Sequence, residues 1–245
     1  MNHLNISGFQ ALDYACSEAM NTLCTNLSYC GTNVRTVLFT SRYEQEGKSC
    51  IAMNVMRTLA SYGKRVLLVD ADLRCSTLAR RYRFDYVRKD SPGLAQYLAG
   101  MCALEQAIYE TNLPGAFILP AGREVINSMQ LLASPRCAEM MGALRERFDM
   151  VLVDSPPAGV IVDALEIAKH CDGTVFVVEY NVTRRRELLE AQRQMNQAGC
   201  PILGCIINKV SLDTYSAKKY YSKSYYSTHY EGDAAESSGG KKKRS

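Results

Sequence analysis

The chain has 245 residues, of which 47% are hydrophobic and 22% are charged, and its formal net charge is +4. This composition is typical of a globular protein, and it excludes a collagen-like or fully disordered chain. The positive excess lies at the end of the chain, because seven basic and three acidic residues occur from Tyr215 onward, leaving 22 of each sign elsewhere. The body is therefore neutral and the tail is basic.

Short β-branched and Leu-rich runs alternate along the chain with segments of helical periodicity. This alternation predicts an α/β fold, with a mostly parallel central sheet and helices on both faces. The predicted strands are Thr36–Thr40, Arg65–Asp70, Ala116–Leu119, Met150–Asp154, Thr174–Glu179 and Ile202–Asn208. The predicted helices are Lys48–Ser61, Leu94–Leu98, Leu104–Tyr109, Ser128–Arg147, Asp163–His170 and Thr183–Ala198.

Three regions are expected: an N-terminal helical segment (1–35), the α/β domain (36–212) and a flexible C-terminal tail (213–245). The tail lacks the apolar side chains that would offset the entropy of ordering. No secretory signal or run of roughly 18 apolar residues is visible, so we expect a cytoplasmic protein. The ten cysteines contain no Cys-x-x-Cys pair and the three histidines are scattered, which removes the usual zinc spacings.

A phosphate-binding motif follows the first predicted strand, in the stretch TVLFTSRYEQEGKSC. Gly-Lys-Ser at a strand-to-helix junction turns backbone N–H groups towards a phosphate. It also places the ammonium of Lys48 near the β/γ oxygens and the hydroxyl of Ser49 near Mg²⁺. The strict pattern asks for glycine where this chain has Arg42. The alternative is a helix N-terminus that serine merely caps.

Three carboxylates end the neighbouring apolar strands. Asp70 and Asp72, in VLLVDADLR, share one face because residues two apart in an extended chain point the same way. Asp154 ends FDMVLVDSPP. Ligands of an open parallel sheet lie beyond the carboxyl ends of its strands, so these groups, with Lys48 and Ser49, suit a site for Mg·ATP. The alternative is that each aspartate caps the segment that follows it.

Six of the fifteen tyrosines fall within sixteen residues of the tail, among Ser and Lys rather than Leu or Val. With a nucleotide site in the same chain, we interpret their hydroxyls as phosphoryl acceptors. The alternative is a stacking patch for RNA, because basic and aromatic residues together bind single strands. The six predicted acceptors are Tyr215, Tyr220, Tyr221, Tyr225, Tyr226 and Tyr230.

From about Ser17 onward, the chain resembles the cytoplasmic bacterial tyrosine kinases of capsular and exopolysaccharide synthesis, which are related to the MinD/ParA-type P-loop ATPases. The matching stretches are EGKS, VLLVDADLR, GLAQYLAG, FILPAG, FDMVLVDSPP with a following VDA, CDGTVFVV, GCIINK and the tyrosine cluster. The resemblance implies a P-loop fold and ATP-dependent autophosphorylation of the tail in trans between subunits. It implies nucleotide contacts at Glu46, Gly47, Lys48, Ser49 and Cys50, with adenine read by Asn208.

The resemblance also implies partners: a polytopic membrane activator of the chain-length-regulator type, a cognate protein-tyrosine phosphatase and further copies of the chain. The kinase would then be recruited to the inner face of the membrane through its activator. We expect no nucleic-acid partner. Near the N-terminus, EAMNTLCTNL resembles the oligomer-forming E-x-x-R-x-x-R helix of the family, but Asn21 and Cys24 replace both arginines beside Glu18. A ring assembly therefore does not carry over directly.

The phosphate-binding stretch departs from the family as well. Glu44-Gln45 stands where the family usually has Pro-Gly, and Cys50 where it has Thr. Without glycine at position 45, the backbone there takes either an ordinary angle or a strained one. Glu44 and Glu46 bring negative charge close to the phosphates; Glu46 matches the common family pattern, whereas Glu44 does not. The departures bear on the affinity for nucleotide.

The predicted reaction is phosphoryl transfer from ATP to tyrosine. A phenol with a pKa near 10 is protonated at neutral pH, so a carboxylate accepts its proton while Lys48 and Mg²⁺ neutralise developing charge. Either Asp70 or Asp72 is the base and the other joins the metal shell, with Ser49 and Asp154 as further magnesium ligands. Two alternatives stay open: a MinD/ParA-like ATPase switch, whose signature lysine would stand at Tyr43, and a catalytically weak regulatory subunit.

Overall fold

The computed structural model describes residues 2–86, 91–123, 125–158 and 162–211. These residues form nine strands and nine helices within one compact unit that ends at Asn208. The strands are β1 (Asn2–Ile6), β2 (Thr36–Ser41), β3 (Val66–Asp70), β4 (Phe84–Tyr86), β5 (Tyr109–Thr111), β6 (Ala116–Leu119), β7 (Met150–Asp154), β8 (Gly173–Glu179) and β9 (Ile202–Asn208). The helices are α1 (Tyr14–Tyr29), α2 (Lys48–Ser61), α3 (Leu78–Arg81), α4 (Leu94–Leu98), α5 (Leu104–Ala107), α6 (Ser128–Leu132), α7 (Pro135–Arg147), α8 (Asp163–Ala168) and α9 (Arg185–Gln197).

All nine strands form one sheet in the order β4-β1-β5-β6-β3-β7-β2-β8-β9. The six strands from β6 to β9 in this order are parallel to one another, whereas β4 pairs antiparallel with β1 and β5 antiparallel with β6. The predicted fold class, a mostly parallel sheet, is thereby confirmed. The carboxyl ends of β2, β3, β7, β8 and β9 share one edge, where ligands of such sheets bind.

The core consists of two apolar layers, one on each face of the sheet. Successive residues of a strand face opposite sides, so Val37 and Phe39 of β2 join one layer and Leu38 joins the other. Helices α1 to α3 contribute to the layer of Val37, and helices α4 to α9 contribute to the layer of Leu38. Because both faces are covered, the central strands are apolar throughout, which explains why the sequence reveals them.

Two predicted helices are wrong in extent. The predicted helix Ser128–Arg147 is two helices, because Ser134 is extended, with ψ 150°, and Pro135 begins α7 as its first residue. A proline lacks the N–H that would continue α6, but it fits the first turn of a new helix. The predicted helix Leu104–Tyr109 ends at Ala107, and Tyr109 begins the short strand β5.

The first 35 residues contribute a strand as well as the expected helix. Strand β1 pairs with β4 and β5 and buries Leu4 and Ile6, whereas α1 packs against α2 through Met20, Cys24 and Leu27. The division of the chain at residues 35 and 212 stays a prediction, and the tail lies outside the described residues. Among the described helices, none has the length and apolar character to cross a bilayer.

The amino ends of β2 and β8 are joined by the carboxylate of Asp172. Its Oδ2 accepts hydrogen bonds from the backbone N–H groups of Arg35 (2.9 Å) and Thr36 (2.8 Å) and from the Thr36 hydroxyl (2.8 Å). Its Oδ1 contacts the guanidinium of Arg145. Burial acts to raise the pKa of Asp172, but the hydrogen bonds outweigh it and lower the pKa below its ordinary value. The ionised form therefore stabilises the folded protein.

We expect Asp172→Asn to lower the free energy of unfolding by roughly 2 kcal/mol at pH 7, because several hydrogen bonds to a charged group are weakened. Since the folded pKa is lowered, this contribution is present above about pH 4 and is lost as the pH falls further. Urea unfolding of the wild type and the variant at pH 7 and at pH 3.5 measures the loss of stability and its dependence on pH. Asp149→Asn is the control, because Asp149 is exposed and accepts a single backbone hydrogen bond within the described residues, from Arg65 N at 2.8 Å. Equal losses in the two variants would contradict the assignment.

Candidate active site

The phosphate-binding turn, residues 42–47, connects β2 to the N-terminus of α2. Gly47 has φ 98°, which is left-handed, and a Cβ there would lie 2.1 Å from Asn208 Nδ2. Only glycine fits this position. Helix α2 then begins at Lys48, so that Lys48, Ser49 and Cys50 form its first turn, where free backbone N–H groups and the helix dipole favour an anion. The predicted strand-to-helix junction is thus present.

Gln45 occupies a strained position in this turn. Its φ is 63°, in the left-handed region that a side chain disfavours by about 1–2 kcal/mol. Of the two backbone alternatives that the sequence leaves open, the structure has the strained one. Contacts elsewhere in the protein must therefore stabilise the turn against the strain at Gln45.

Glu46 provides those contacts, because its carboxylate points into the protein and is 1% exposed. Oε2 accepts from the N–H of Tyr43 at 2.7 Å, and Oε1 accepts from the N–H of Glu179 at 3.1 Å and from the Thr183 hydroxyl. The carbonyl of Glu46 accepts from Asn208 Nδ2 at 2.8 Å. Glu46 thus ties the turn to the carboxyl ends of β8 and β9.

Asp70 and Asp154 form a buried pair of carboxylates. They are paired in register on the adjacent strands β3 and β7, and each residue is 1% exposed. Burial raises the pKa of Asp70 to about 8, and the charge of Asp154 adds to this increase, while a hydrogen bond from the Ser76 hydroxyl opposes it. Burial also raises the pKa of Asp154 to about 6, against the effects of the Lys48 ammonium and a hydrogen bond from Ser49.

This pair fits a divalent cation. Within the described part of the chain, Oδ1 of Asp70 and Oδ1 of Asp154 are buried and have no hydrogen-bond partner. Two unsatisfied oxygens of like charge are costly in a protein interior unless a cation joins them. Mg²⁺ suits such a site, because it uses one or two carboxylates and keeps several waters. The described residues contain no group of three or more acidic, His or Cys side chains that could hold a metal ion, so the site here is a pair of carboxylates.

Asp72 lies two residues beyond the end of β3 and is 9% exposed, more than Asp70. Its Oδ1 accepts from the N–H of Cys75 at 3.1 Å, and its charge acts on both Asp70 and Asp154. Lys48 and Ser49 act on Asp154 from α2. The structure therefore brings Lys48, Ser49 and all three aspartates to one place, as the sequence predicted.

Two further contacts were not assigned a role from the sequence. Arg74 holds Asp163 through both carboxylate oxygens, with Nε–Oδ2 2.8 Å and Nη2–Oδ1 3.0 Å, and the Ser128 hydroxyl donates to Oδ2 at 2.6 Å. These bonds anchor the segment after Asp72 to α6 and α8. The stretches DADLR and VDA contain Arg74 and Asp163, but their pairing spans 89 residues and is invisible in a linear pattern. Ser76, whose hydroxyl donates to Asp70, likewise belongs to no sequence motif that would assign it a role.

The remaining predicted site residues are placed as follows. Cys50 is half-buried, and its thiol lies 3.6 Å from Asn54 Nδ2. Asn208 ends β9 beside the phosphate-binding turn, with its amide nitrogen donating to Glu46. The six predicted tail acceptors lie outside the described residues.

Replacing Gln45 by glycine should raise the free energy of unfolding by about 0.5 kcal/mol, because relief of left-handed strain exceeds the entropy that glycine adds to the unfolded chain. Gln45→Val should lower the free energy by more than about 1 kcal/mol, because a β-branched residue tolerates this angle least. Urea unfolding without nucleotide measures the free energy of unfolding of the two variants. Indistinguishable glycine and valine variants would show that the strain has been misjudged.

The carboxylate pair predicts that the metal-free protein loses stability as the pH rises. The pKa of Asp70 is raised, to about 8, so its contribution to stability is greatest below about pH 4 and declines as the pH approaches 8. We expect a loss of roughly 2 kcal/mol between pH 6 and 8 in EDTA, and its partial reversal by Mg²⁺. Asp70→Asn should flatten the profile, whereas Asp149→Asn should not. A wild-type profile that rises over this range would contradict the pairing.

The chain was compared with known protein families and proteins. The AAA domain family matches residues 44–179, more than half of the chain. The tyrosine-protein kinase CpsD of Streptococcus agalactiae serotype Ia is 36% identical over 194 residues, which cover 79% of this chain and 82% of that protein.

The chain is also similar to solved structures of a tyrosine kinase domain and of a MinD ATPase. The kinase domain of VpsO superposes with a TM-score of 0.73 and 29% identity, covering 80% of this chain and 94% of that one. The cell division ATPase MinD of Pyrococcus furiosus has a TM-score of 0.63 and 25% identity, covering 76% and 78%. The match to the AAA domain family includes most of the phosphate-binding turn and the strands β3 and β7. The chain therefore belongs to the family of bacterial tyrosine-protein kinases built on a MinD-like P-loop domain.

Proposed function

We propose that this kinase transfers the γ-phosphoryl group of ATP to the tyrosine cluster of its own tail, in trans between subunits, and so regulates capsular or exopolysaccharide synthesis or export. One observation carries this proposal most directly. The buried carboxylates of Asp70 and Asp154, each with an unpartnered oxygen, stand beside Lys48 and Ser49 at the phosphate-binding turn. The similarity to tyrosine-protein kinases and the tyrosine cluster of the tail support tyrosine as the phosphoryl acceptor.

The turn and the start of α2 are suited to bind the phosphates of ATP. Backbone N–H groups of residues 46–50 surround the anion, and the Lys48 ammonium neutralises charge that develops on the transferred group. Ser49, Asp154 and Asp70 would hold Mg²⁺, which when bound supplies positive charge at the phosphate oxygens. Asn208 donates to Glu46, so its carbonyl oxygen is the group left to accept from the adenine amine.

The base is one of two carboxylates. An incoming tyrosine from another subunit must touch the base, and Asp72 is the more exposed of the two, at 9% against 1% for Asp70. Asp70, paired in register with Asp154, is better placed to share the cation. We therefore assign Asp72 as the proton acceptor and Asp70 as a member of the metal shell.

The partners are proposed from the resemblance and from charge. A basic, unmodified tail is attracted to a site that holds three aspartates, whereas each phosphotyrosine adds about −1.5 to −2 and repels it. A polytopic membrane activator and a protein-tyrosine phosphatase would control the two directions of this cycle, and the activator would recruit the kinase to the inner face of the membrane. In α1, Glu18 accepts from Asn21 at 3.1 Å within its own chain, which supports a subunit contact different from the arginine-based one.

The other two functions are less well supported. A MinD/ParA-like switch uses a lysine at position 43, whereas the tyrosine there bonds to Glu187 of its own chain. A weak regulatory subunit would need a phosphate-binding turn that has lost its shape, yet Gly47 and Gln45 keep the turn left-handed at both positions.

Intact-mass analysis of the full chain with Mg·ATP and the activator tests the kinase proposal. We expect additions of up to six phosphates, removed by a tyrosine phosphatase and mapped to the tail. Lys48→Met should slow the reaction at least about a hundredfold, because it removes charge stabilisation of the transition state. Lys64→Met, at an exposed lysine after α2, is the control and should leave the rate unchanged.

Two results would contradict the proposal. Phosphate release from ATP without protein phosphorylation would favour the ATPase switch. Failure to bind ATP in a titration, with binding to the activator retained, would favour the regulatory subunit.

A further inference from the structure

A tyrosine outside the tail cluster lies in the phosphate-binding turn itself. Tyr43 is 37% exposed, and its hydroxyl donates a 2.7 Å hydrogen bond to Oε1 of Glu187 in α9. The guanidinium of Arg42 lies 5.6 Å from the centre of the tyrosine ring and also interacts with the hydroxyl. The phenol of Tyr43 therefore has the carboxylate of Glu187 on one side and the guanidinium of Arg42 nearby.

This arrangement differs from an ordinary anchored tyrosine. Tyr62 is similarly exposed, at 54%, and its hydroxyl also donates at 2.7 Å, but to the amide oxygen of Asn21. An amide oxygen cannot take up the proton, whereas a carboxylate can. The hydrogen bonds from Tyr43 and from Arg184 N lower the pKa of Glu187, so its carboxylate is ionised at neutral pH. Tyr43 therefore carries its own base, and Tyr62 does not.

We propose that Tyr43 is an additional phosphoacceptor of this kinase, an inference that rests on the proposed ATP-dependent activity. An Oη lone pair forms the bond to the γ-phosphorus of ATP, while the bond from that phosphorus to the β,γ-bridging oxygen breaks and its electron pair leaves with ADP. The hydroxyl proton passes to Oε1 of Glu187. Arg42 then lies beside the new phosphate as its counter-charge.

Phosphorylation here acts on the nucleotide site. The contact between Tyr43 and Glu187 changes from a hydrogen bond into a repulsion of like charges. The added charge of about −1.5 to −2 also sits in the turn that receives the phosphates of ATP, which already contains Glu44 and Glu46. Modification of Tyr43 therefore weakens ATP binding and restrains further turnover of the modified subunit.

Phosphopeptide mapping of the full chain after incubation with Mg·ATP and the activator tests the proposal. We expect phosphotyrosine at Tyr43 to exceed that at Tyr62 at least about tenfold. Glu187→Gln, which keeps a hydrogen-bond acceptor but removes the base, should lower phosphorylation of Tyr43 at least about tenfold and leave the initial rate of tail phosphorylation unchanged. Glu190→Gln is the matched control, because it removes the same charge from α9 at a residue that pairs with Arg186.

The outcomes separate this inference from the proposed function. Tail peptides with phosphate and Tyr43 peptides without it would overturn the inference and leave the kinase reaction intact. Absence of phosphate from every peptide would overturn the kinase proposal itself. Equal loss at Tyr43 in the Glu187→Gln and Glu190→Gln proteins would show that general charge, and not the base, is responsible, which also contradicts the assignment.

Discussion

The pairing of β3 with β7 imposes the central constraint on this molecule. Parallel register places Asp70 directly beside Asp154 at the edge of the sheet, about one strand spacing apart, with both carboxylates buried. The apolar residues that precede them stabilise the sheet, and in doing so they bury two carboxyl groups side by side. This arrangement is unfavourable when both groups are ionised, which is why the pKa of each is raised. The Lys48 ammonium opposes the increase at Asp154, and a divalent cation would do the same for the pair.

The phosphate-binding turn is determined by tertiary contacts as much as by its own residues. The turn lacks the glycine that the family usually has at position 45, and Glu44 also departs from the family pattern, which Glu46 matches. Glu46 holds the turn, because its carboxylate bonds to Tyr43, Glu179 and Thr183. The energy of these bonds compensates for the strain at Gln45. A departure from the expected motif is thus tolerated without loss of the shape that the chemistry needs.

The extent to which the sequence predicts this structure differs between the sheet and the site. The strands of the parallel block have continuous apolar runs and were identified, and so were Lys48, Ser49 and the three aspartates at their ends. Strands β1, β4 and β5 have three to five residues and mixed polarity, so no period distinguishes them from loops. The Glu46 contacts join residues more than 130 positions apart. Such pairings depend on the completed fold and leave no local pattern.

Charge connects the buried site to the ends of the reaction cycle. The excess positive charge of the chain belongs to the tail, whereas the site gathers Asp70, Asp72 and Asp154. On the proposed function, an unmodified tail of another subunit would be attracted to the site, and transfer would reverse this relation, because three phosphotyrosines outweigh the whole positive excess. A phosphate on Tyr43 would act in the same direction from within the turn, by repelling ATP instead of the tail. Under both proposals, product release and restraint of the kinase would follow from one electrostatic principle, applied to the tail tyrosines and to Tyr43.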